Sequence, residues 1–382
     1  MGRNRKELMR QIKILQVNKL YYPETGGIER TLQQISEGLN GVTDLKVLVC
    51  QKKGKGSVDI INGVEVHRAG SLGVISSVPI SFPFIKYLRS MSRDREILQF
   101  HMPFPLGDLA CLLSGYKGKV IAYWHSDVVK QKKWMILYKP VMNLFLKRTD
   151  LIIVGAEGIA KGSTYLGPFM DKVKVVPFAV SDEILQAGEI FINKCQERED
   201  GPVRFLFIGR LVYYKGCSVL LEALAGLNHK AELLIVGDGP LKEELVKKCS
   251  DLELNDKVSF LGHISDNEVH KCLERSDVFV LPSVERSEAF GLVQLEAMAY
   301  GLPVINTNLN SGVPEVSING ETGLTVEPNN SEELRDAMDW LISHPEERQE
   351  MGVKARTRLE HCFTQKLLVE NIMNVYNEVL TR

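Results

Sequence analysis

The sequence lacks three features that would each indicate a particular class of protein. No apolar run approaches the roughly 20 residues that a membrane-spanning helix needs. The opening stretch MGRNRKELMRQ has no apolar signal segment, so export is not expected. The seven cysteines are odd in number and include no C-x-x-C pair, which argues against a disulfide or zinc framework and predicts reduced thiols in a cytoplasmic protein.

The composition is that of an ordinary globular protein with an uneven charge distribution. The 382 residues are 44% hydrophobic and 25% charged, and this length predicts two domains. The net charge is −1, yet residues 1–177 carry 27 Lys and Arg against 14 Asp and Glu, and the remainder carries 20 against 34. Either the two halves attract each other, or the basic half faces an anionic surface, which is either lipid headgroups or a phosphate-bearing acceptor.

The chain begins with the pattern of a strand, a glycine turn and a helix. Residues 11–17 alternate in polarity as a strand does, and apolar residues recur at helical spacing from Ile28 to about Leu39. This order predicts a βαβ unit. The pair Gly26 and Gly27 between the two elements allows either a tight turn or a close backbone approach to a phosphate, and spacing alone favours the turn.

The same pattern restarts in the second half. Residues 177–201 lose periodicity and gain polar side chains, so the domain boundary is placed there, between domains of about 1–180 and 200–362. A strand at 204–208 then runs into a loop that carries Arg210 and Lys215. Two cations at this spacing are more often solvated, but together they can hold one anion.

The stretch PSVERSEAFGLVQLEAMAYGLP, residues 282–303, follows a predicted buried strand and enters an apolar helix. A helix N-terminus offers unpaired N–H groups to an anion. Glu288 lies on the loop and Glu296 within the helix. Glu296 is either a solvated acid or an acceptor for ligand hydroxyl groups, and Glu288 is either a helix-capping acid or such an acceptor. The apolar neighbours of Glu296 favour the ligand interpretation.

These motifs resemble those of a known family. The segment E-A-F-G-L-V-Q-L-E resembles the glutamate-x7-glutamate motif of retaining glycosyltransferases of family 4, and A-Y-G-L-P-V-I and N-G-E-T-G-L-T-V-E-P are similar to the same family. The likeness extends from Ile14 to about Pro328. It implies the α/β GT-B architecture, with two Rossmann-like, doubly wound parallel-sheet domains facing across a cleft. The first domain would bind the acceptor, with a final helix at 363–382 packed back on it, and the second would bind a nucleotide sugar.

The resemblance also implies roles for individual residues. Arg210 and Lys215 would hold the donor diphosphate, Glu288 would accept a hydrogen bond from a sugar hydroxyl, and Glu296 would bind the ribose. The implied donor-binding set is Gly26, Gly27, Arg210, Lys215, Gly262, Ile264, Glu288, Phe290, Gly291, Leu292 and Glu296. The implied catalytic set is Glu288, His125, Arg210 and Lys215.

His125 follows a predicted strand, where open α/β sheets bind ligands, although a lone histidine is more often structural. The family contacts the donor sugar at this position. The run H-S-D-V-V-K-Q-K that starts here resembles bacterial enzymes that add mannose during O-antigen assembly. It implies GDP-mannose as the preferred donor, a UDP-sugar as the alternative, and a lipid-linked saccharide as the acceptor.

Two segments are candidates for membrane contact. The lysine-rich helical segment after His125 either is solvated or docks to a lipid pyrophosphate or an anionic membrane. The apolar, proline-broken stretch from Leu72 to Met91 either dips into a membrane interface or is a buried loop and helix. The prediction is peripheral association with the inner face of the cytoplasmic membrane, with no nucleic-acid partner.

The absence of any Asp-x-Asp triplet predicts that no metal and no cofactor are required. Three other functions are compatible with the predicted fold. A nucleotide-sugar epimerase shares the fold, a glycogen-type synthase or phosphorylase would act on soluble glucan, and a non-catalytic scaffold would need none of the site residues. The presence of Arg210, Lys215, Glu288 and Glu296 in one chain argues against the scaffold.

Overall fold

The computed structural model describes residues 11–24, 26–75, 78–128, 132–193 and 201–382. Its chain divides into two compact units. The first comprises the chain up to Val154, Pro168–Val176 and Val369–Arg382, and the second comprises Gly155–Gly167 and Pro177–Leu368. Among the described residues, no helix combines the length and the apolar character needed to cross a bilayer. Six of the seven cysteines are described, and all six are free thiols.

The first unit is built on an eight-stranded sheet in the order β10-β9-β8-β7-β1-β2-β4-β3. The strands of this unit, including a separate two-stranded hairpin of β5 and β6, are β1 (Lys13–Val17), β2 (Asp44–Cys50), β3 (Ser57–Ile61), β4 (Val64–Ala69), β5 (Val74–Ile75), β6 (Val78–Pro79), β7 (Ile97–Met102), β8 (Lys119–Trp124), β9 (Leu151–Val154) and β10 (Val173–Val175). Its first four helices are α1 (Gly27–Leu39), α2 (Phe82–Met91), α3 (Pro105–Ser114) and α4 (Lys132–Arg148). All neighbours in the large sheet are parallel except β3 and β4.

The second unit contains a six-stranded parallel sheet in the order β13-β12-β11-β14-β15-β16. The strands are β11 (Val203–Ile208), β12 (Ala231–Val236), β13 (Val258–Gly262), β14 (Val278–Val280), β15 (Val304–Thr307) and β16 (Gly323–Val326). The remaining helices are α5 (Glu157–Gly162), α6 (Asp182–Asn193), α7 (Cys217–Ala225), α8 (Lys242–Asp251), α9 (Asp266–Arg275), α10 (Val293–Ala299), α11 (Val313–Val316), α12 (Ser331–Ser343), α13 (Pro345–Cys362) and α14 (Gln365–Thr381). The part of α14 from Val369 onward belongs to the first unit.

The apolar strands of both parallel sheets are buried between layers of helices. Strands such as β9 (LIIV) and β14 (VFV) are apolar at every position and fully buried, as expected when helices cover both faces of a sheet. The strand–helix alternation of the sequence therefore becomes two doubly wound α/β units.

The compact units differ from the predicted domain ranges at residues 155–167, 177–180 and 363–368, all of which belong to the second unit. The largest of these segments is 155–167. These residues lie inside the predicted range 1–180, yet the structure groups them with the second unit. Hydrogen bonds account for this grouping. The backbone N–H groups of Glu157 and Gly158 donate to the carboxylate of Glu315, and Arg286 donates to the Gly162 carbonyl at 2.6 Å.

Candidate active site

The second unit gathers its predicted site residues at the carboxyl edge of its sheet. The chain leaves β11 towards its neighbour β12 on one side and later returns to β14 on the other, so the strand order reverses at β11. Ligands of open α/β sheets bind at such a switch point, outside the carboxyl ends of the strands. The loop that starts at Gly209 follows β11, and the loop with Glu288 follows β14.

These two loops are joined directly. The N–H group of Val284 donates to the Tyr214 carbonyl at 2.8 Å, and the Tyr213 hydroxyl donates to Glu285 at 2.6 Å. Gly216 makes the close approach possible, because a Cβ atom at this position would lie 1.8 Å from the Pro282 carbonyl oxygen. Its φ of +70° is also in the left-handed region that favours glycine.

The joined loops hold a largely buried ion pair. Lys215 Nζ lies 2.5 Å from Glu288 Oε2, and the two side chains are only 12% and 11% exposed. The Ser283 hydroxyl also donates to the Glu288 carboxylate, at 3.3 Å. Burial alone would lower the pKa of Lys215, but the adjacent Glu288 carboxylate outweighs it and raises that pKa above its ordinary value. Arg210 lies five residues earlier on the same loop and is exposed.

Gly262 and Ile264 lie at the end of β13, on the same edge of the sheet. The Gly262 carbonyl accepts a hydrogen bond from Gly237, the residue that follows β12, at 2.8 Å. Gly262 itself has a φ of +69°. The backbone after β13 therefore turns sharply beside the loop after β12, and Ile264 remains partly exposed.

The segment between Glu288 and Glu296 connects β14 to α10. Phe290 is buried and packs edge to face on Phe178, with ring centroids 4.9 Å apart. Gly291 has a φ of +73°, Leu292 is partly exposed, and α10 begins at Val293. Glu296 lies in the first turn of α10 and is partly exposed, so its apolar neighbours in sequence do not bury it.

In the first unit the predicted site residues also lie beyond strand ends. Gly26 has an extended backbone and caps the start of α1, where its carbonyl accepts a hydrogen bond from Arg30 at 2.9 Å. Gly27 is the first residue of that helix. His125 directly follows β8 and is buried.

His125 belongs to a buried hydrogen-bond network that the sequence analysis did not identify. His125 Nε2 lies 2.9 Å from His101 Nδ1, and His101 Nε2 lies 3.1 Å from Gln16 Oε1. The Gln16 amide donates to the Tyr376 hydroxyl at 2.9 Å, and that hydroxyl donates to Gln99 Oε1 at 2.8 Å. The only local signal in the sequence was polar residues inside apolar strands, Q in KILQV and Q and H in ILQFHM.

The environment keeps both histidines neutral. Burial lowers the pKa of His101 to about 3. Burial also places the pKa of His125 well below its ordinary value, and the nearby His101 and Lys19 act in the same direction. His101 Nε2 faces the Gln16 oxygen at 3.1 Å and the Gln99 amide nitrogen at 3.5 Å, and the shorter contact favours a proton on His101 Nε2. With that tautomer, His101 Nδ1 accepts from His125 Nε2–H. His125 is a neutral ring, a state unsuited to a general acid at neutral pH.

Comparison with known proteins agrees with this architecture. The chain is similar to HepE of Anabaena, crystallised in complex with UDP, with a TM-score of 0.76 over 96% of this chain and 100% of that one at 17% identity. A likeness at this identity shows the fold. Together with the two doubly wound units, it identifies the molecule as a protein of the GT-B class.

Family models and relatives define the family. Residues 25–183 match the model for Glycosyltransferase Family 4, and residues 190–358 match the model for Glycosyl transferases group 1. The chain is 33% identical to D-rhamnosyltransferase WbpZ of Pseudomonas aeruginosa, over 92% of each chain. It is 31% identical to O-antigen chain mannosyltransferase C of Escherichia coli, over 97% of this chain and 99% of that protein. The chain therefore belongs to glycosyltransferase family 4, and it is a glycosyltransferase.

Proposed function

We propose that the protein is a retaining hexosyltransferase of cell-surface polysaccharide biosynthesis. It moves a hexose, with mannose preferred, from GDP-mannose to a hydroxyl group of a lipid-linked oligosaccharide. The support comes from relatives named O-antigen chain mannosyltransferase C and D-rhamnosyltransferase, which match nearly the whole chain.

The observation that carries the proposal is the Lys215–Glu288 ion pair at the switch point, with the exposed Arg210 on the same loop. A diphosphate is a dianion or trianion, and this edge of the sheet offers a guanidinium that can grip two oxygens and an ammonium that acts as a point charge. In the proposal these groups stabilise the charge that develops on the leaving diphosphate. Glu288 accepts from a sugar hydroxyl, Glu296 accepts from the ribose, and the backbone at Gly26 and Gly27 approaches the diphosphate.

The proposed chemistry needs no proton-transferring side chain. The acceptor oxygen attacks the anomeric carbon on the face from which the diphosphate leaves, and a phosphate oxygen takes the acceptor proton. The neutral state of His125 fits this scheme, because a histidine with a strongly lowered pKa contributes hydrogen bonds and not a transferable proton. Its role in the proposal is to contact the donor sugar. No step of the proposed reaction uses a metal or another cofactor.

A UDP-sugar is the second candidate donor. Its support is the fold likeness to HepE, whose structure was determined with UDP.

The test is product analysis with GDP-mannose, UDP-glucose and UDP-galactose, each with a polyprenyl-diphosphate-linked saccharide and with EDTA present. We expect a mannosylated lipid whose anomeric carbon has the configuration of the donor, as measured by NMR. Transfer from a UDP-sugar alone would overturn the choice of donor. If the reaction without acceptor yields an epimerised donor, the proposal that the protein transfers the hexose to a lipid-linked acceptor is overturned. Inversion of the anomeric carbon would overturn the retaining mechanism.

A further inference from the structure

Three helices of the first unit form a layer whose outer side is unusually apolar. Helix α3 packs against both α2 and α4. Each helix also turns apolar side chains inward, such as Phe84 of α2 and Phe145 of α4, which are fully buried. A surface helix normally needs only one such apolar side. Here large apolar residues are exposed as well, and we call them the outer apolar set: Phe82, Leu109, Leu113, Ile136, Leu137 and Leu144.

The exposure of this set is too high for the edge of a core. Phe82 is 75% exposed, Ile136 77% and Leu137 71%. Single exposed apolar residues need no explanation, but six of them on three helices that pack side by side indicate an interaction surface.

The same three helices carry no exposed carboxylate in the described part of the chain. Their single acidic residue is Asp108, which is fully buried and accepts a hydrogen bond from Tyr138. Burial raises the pKa of Asp108 well above its ordinary value, which favours the neutral form of this side chain. In contrast, four cations are exposed among the side chains of α2 and α4 that the structure describes, and we call them the outer cations: Lys86, Arg89, Lys139 and Lys147.

The hairpin of β5 and β6 extends the apolar surface beside α2. Leu72 is 71% exposed and Ile75 is 60% exposed. A groove of about 360 Å³ is lined by Leu72, Phe82, Tyr87 and, at one side, Lys55. No acidic residue occurs from Gly70 to Arg93. The hairpin and the helices therefore share one chemistry, exposed apolar groups beside exposed cations.

We propose that this face docks on the surface of an anionic lipid bilayer, with the outer apolar set inserted at the headgroup level and the outer cations on the lipid phosphates. This docking proposal rests on the proposed function in one respect only, which is that a lipid-linked acceptor lies in such a bilayer. Apolar groups bordered by Lys and Arg are the composition of interfacial helices, and anionic headgroups supply the opposite charge. A second copy of this face would bring like charges together, which disfavours self-association as its purpose.

The test is flotation of the purified full chain with vesicles, without donor or acceptor. We expect binding to vesicles of phosphatidylethanolamine and phosphatidylglycerol, weaker binding at high salt, and little binding to phosphatidylcholine alone. The variant Phe82→Ser/Leu113→Ser/Leu137→Ser should lower the partition coefficient about tenfold or more, because it removes apolar area that the bilayer would bury. The matched control Ile60→Ser/Val353→Ser changes residues that are 77% and 62% exposed outside this face, and it should bind as the wild type does.

A second variant separates charge from apolar insertion. Lys86→Gln/Arg89→Gln/Lys139→Gln should weaken binding to anionic vesicles about tenfold or more and reduce its salt dependence, since each cation near an anionic surface contributes. Its control is Lys230→Gln/Lys247→Gln/Lys366→Gln, three exposed lysines of the second unit with the same change in net charge. Wild-type binding by both test variants, or equal losses in the controls, would overturn the proposal. A dimer in gel filtration that the Phe82→Ser variant dissolves would also overturn it, in favour of an interface between copies.

Transfer to a short-chain, water-soluble acceptor distinguishes this proposal from the proposed function. Both test variants should retain that transfer while losing vesicle binding. Vesicle binding without any transfer would contradict the proposed function and leave the docking surface supported.

Discussion

The two units use the same edge of the same kind of sheet for opposite chemistry. In the second unit the carboxyl edge holds charge, with Lys215 and Glu288 paired at 2.5 Å beside the exposed Arg210. In the first unit the edge holds a neutral network, in which His125 and His101 are buried with their pKa values lowered. In both units the ligand-binding loops follow the carboxyl ends of the strands. A few side chains near these strand ends therefore determine whether the edge is charged or neutral.

The energetic cost differs between the two edges. A buried charge must be paired, because desolvation of a lone ion is costly. A buried neutral group needs only a hydrogen-bond partner. The charged edge should therefore be the more sensitive to removal of a single side chain, and the neutral edge the more sensitive to pH.

The largest effect is expected at the ion pair. Lys215→Ala leaves Glu288 without its cation and should lower the free energy of unfolding by about 3 kcal/mol, as measured by urea denaturation. The double variant Lys215→Met/Glu288→Met should recover much of that loss, because no buried charge remains. The control Lys161→Ala breaks an exposed pair and should cost less than about 1 kcal/mol. Additive losses in the double variant would show that the pair is not coupled.

The second effect concerns the glycine that joins the charged loops. Gly216→Ala should cost about 3 kcal/mol, because the new methyl group meets the Pro282 carbonyl and the φ of +70° disfavours any side chain. Gly320→Ala is the matched control, since its φ is +74° but nothing lies within 4 Å of the added atom, and about 1 kcal/mol is expected. If both variants lose the same free energy of unfolding in thermal and urea denaturation, the close approach of the loops at Gly216 does not contribute to stability.

At the neutral edge, Tyr376→Phe removes the hydroxyl that connects two buried amides. The change leaves a Gln16 donor and a Gln99 acceptor without this partner and should cost about 2 kcal/mol. The exposed Tyr22 offers a control, because Tyr22→Phe should change stability by less than about 0.5 kcal/mol. The ¹⁵N chemical shifts of His125 should report Nε2 protonation in the wild type. A purely Nδ1-protonated ring would contradict the network as described.

Taken per pH unit, the pH dependence is the smallest effect, and it tests the neutral edge alone. The folded-state pKa of His101 is about 3, below the ordinary value of 6.5, so between these pH values the unfolded chain binds a proton that the folded chain does not. Stability should therefore fall as the pH falls through this window, by up to about 1.4 kcal/mol per pH unit for this residue. His101→Gln should reduce the slope of unfolding free energy against pH by about one proton, and an unchanged slope would contradict the lowered pKa.

The sequence predicted the fold and the charged edge better than it predicted the neutral one. Strand–loop–helix motifs are local, so Arg210, Lys215 and Glu288 were each placed on the loops where the structure has them. The contact between Lys215 and Glu288 depends on two loops that are distant in sequence and meet at Gly216, which no local pattern reveals.

The neutral network was missed for a related reason. Its members come from β1, β7, the end of β8 and α14, up to 360 residues apart. A histidine after a strand predicted a ligand contact, but nothing local indicated which group fixes its protonation. The partial exposure of Glu296 was also missed, because the apolar residues next to it in sequence do not determine how far its own side chain reaches solvent.

The most direct test of the charged edge is a thermal-shift panel of GDP, UDP, ADP and their common sugar conjugates, without metal, on the wild type and on Arg210→Ala. A ligand that binds only the folded state raises the unfolding midpoint. We predict the largest rise with GDP-mannose, its loss in Arg210→Ala, and its retention in the control Arg335→Ala, which changes a partly exposed arginine of α12. An equal rise in Arg210→Ala and the wild type would contradict the claim that this edge binds the donor diphosphate.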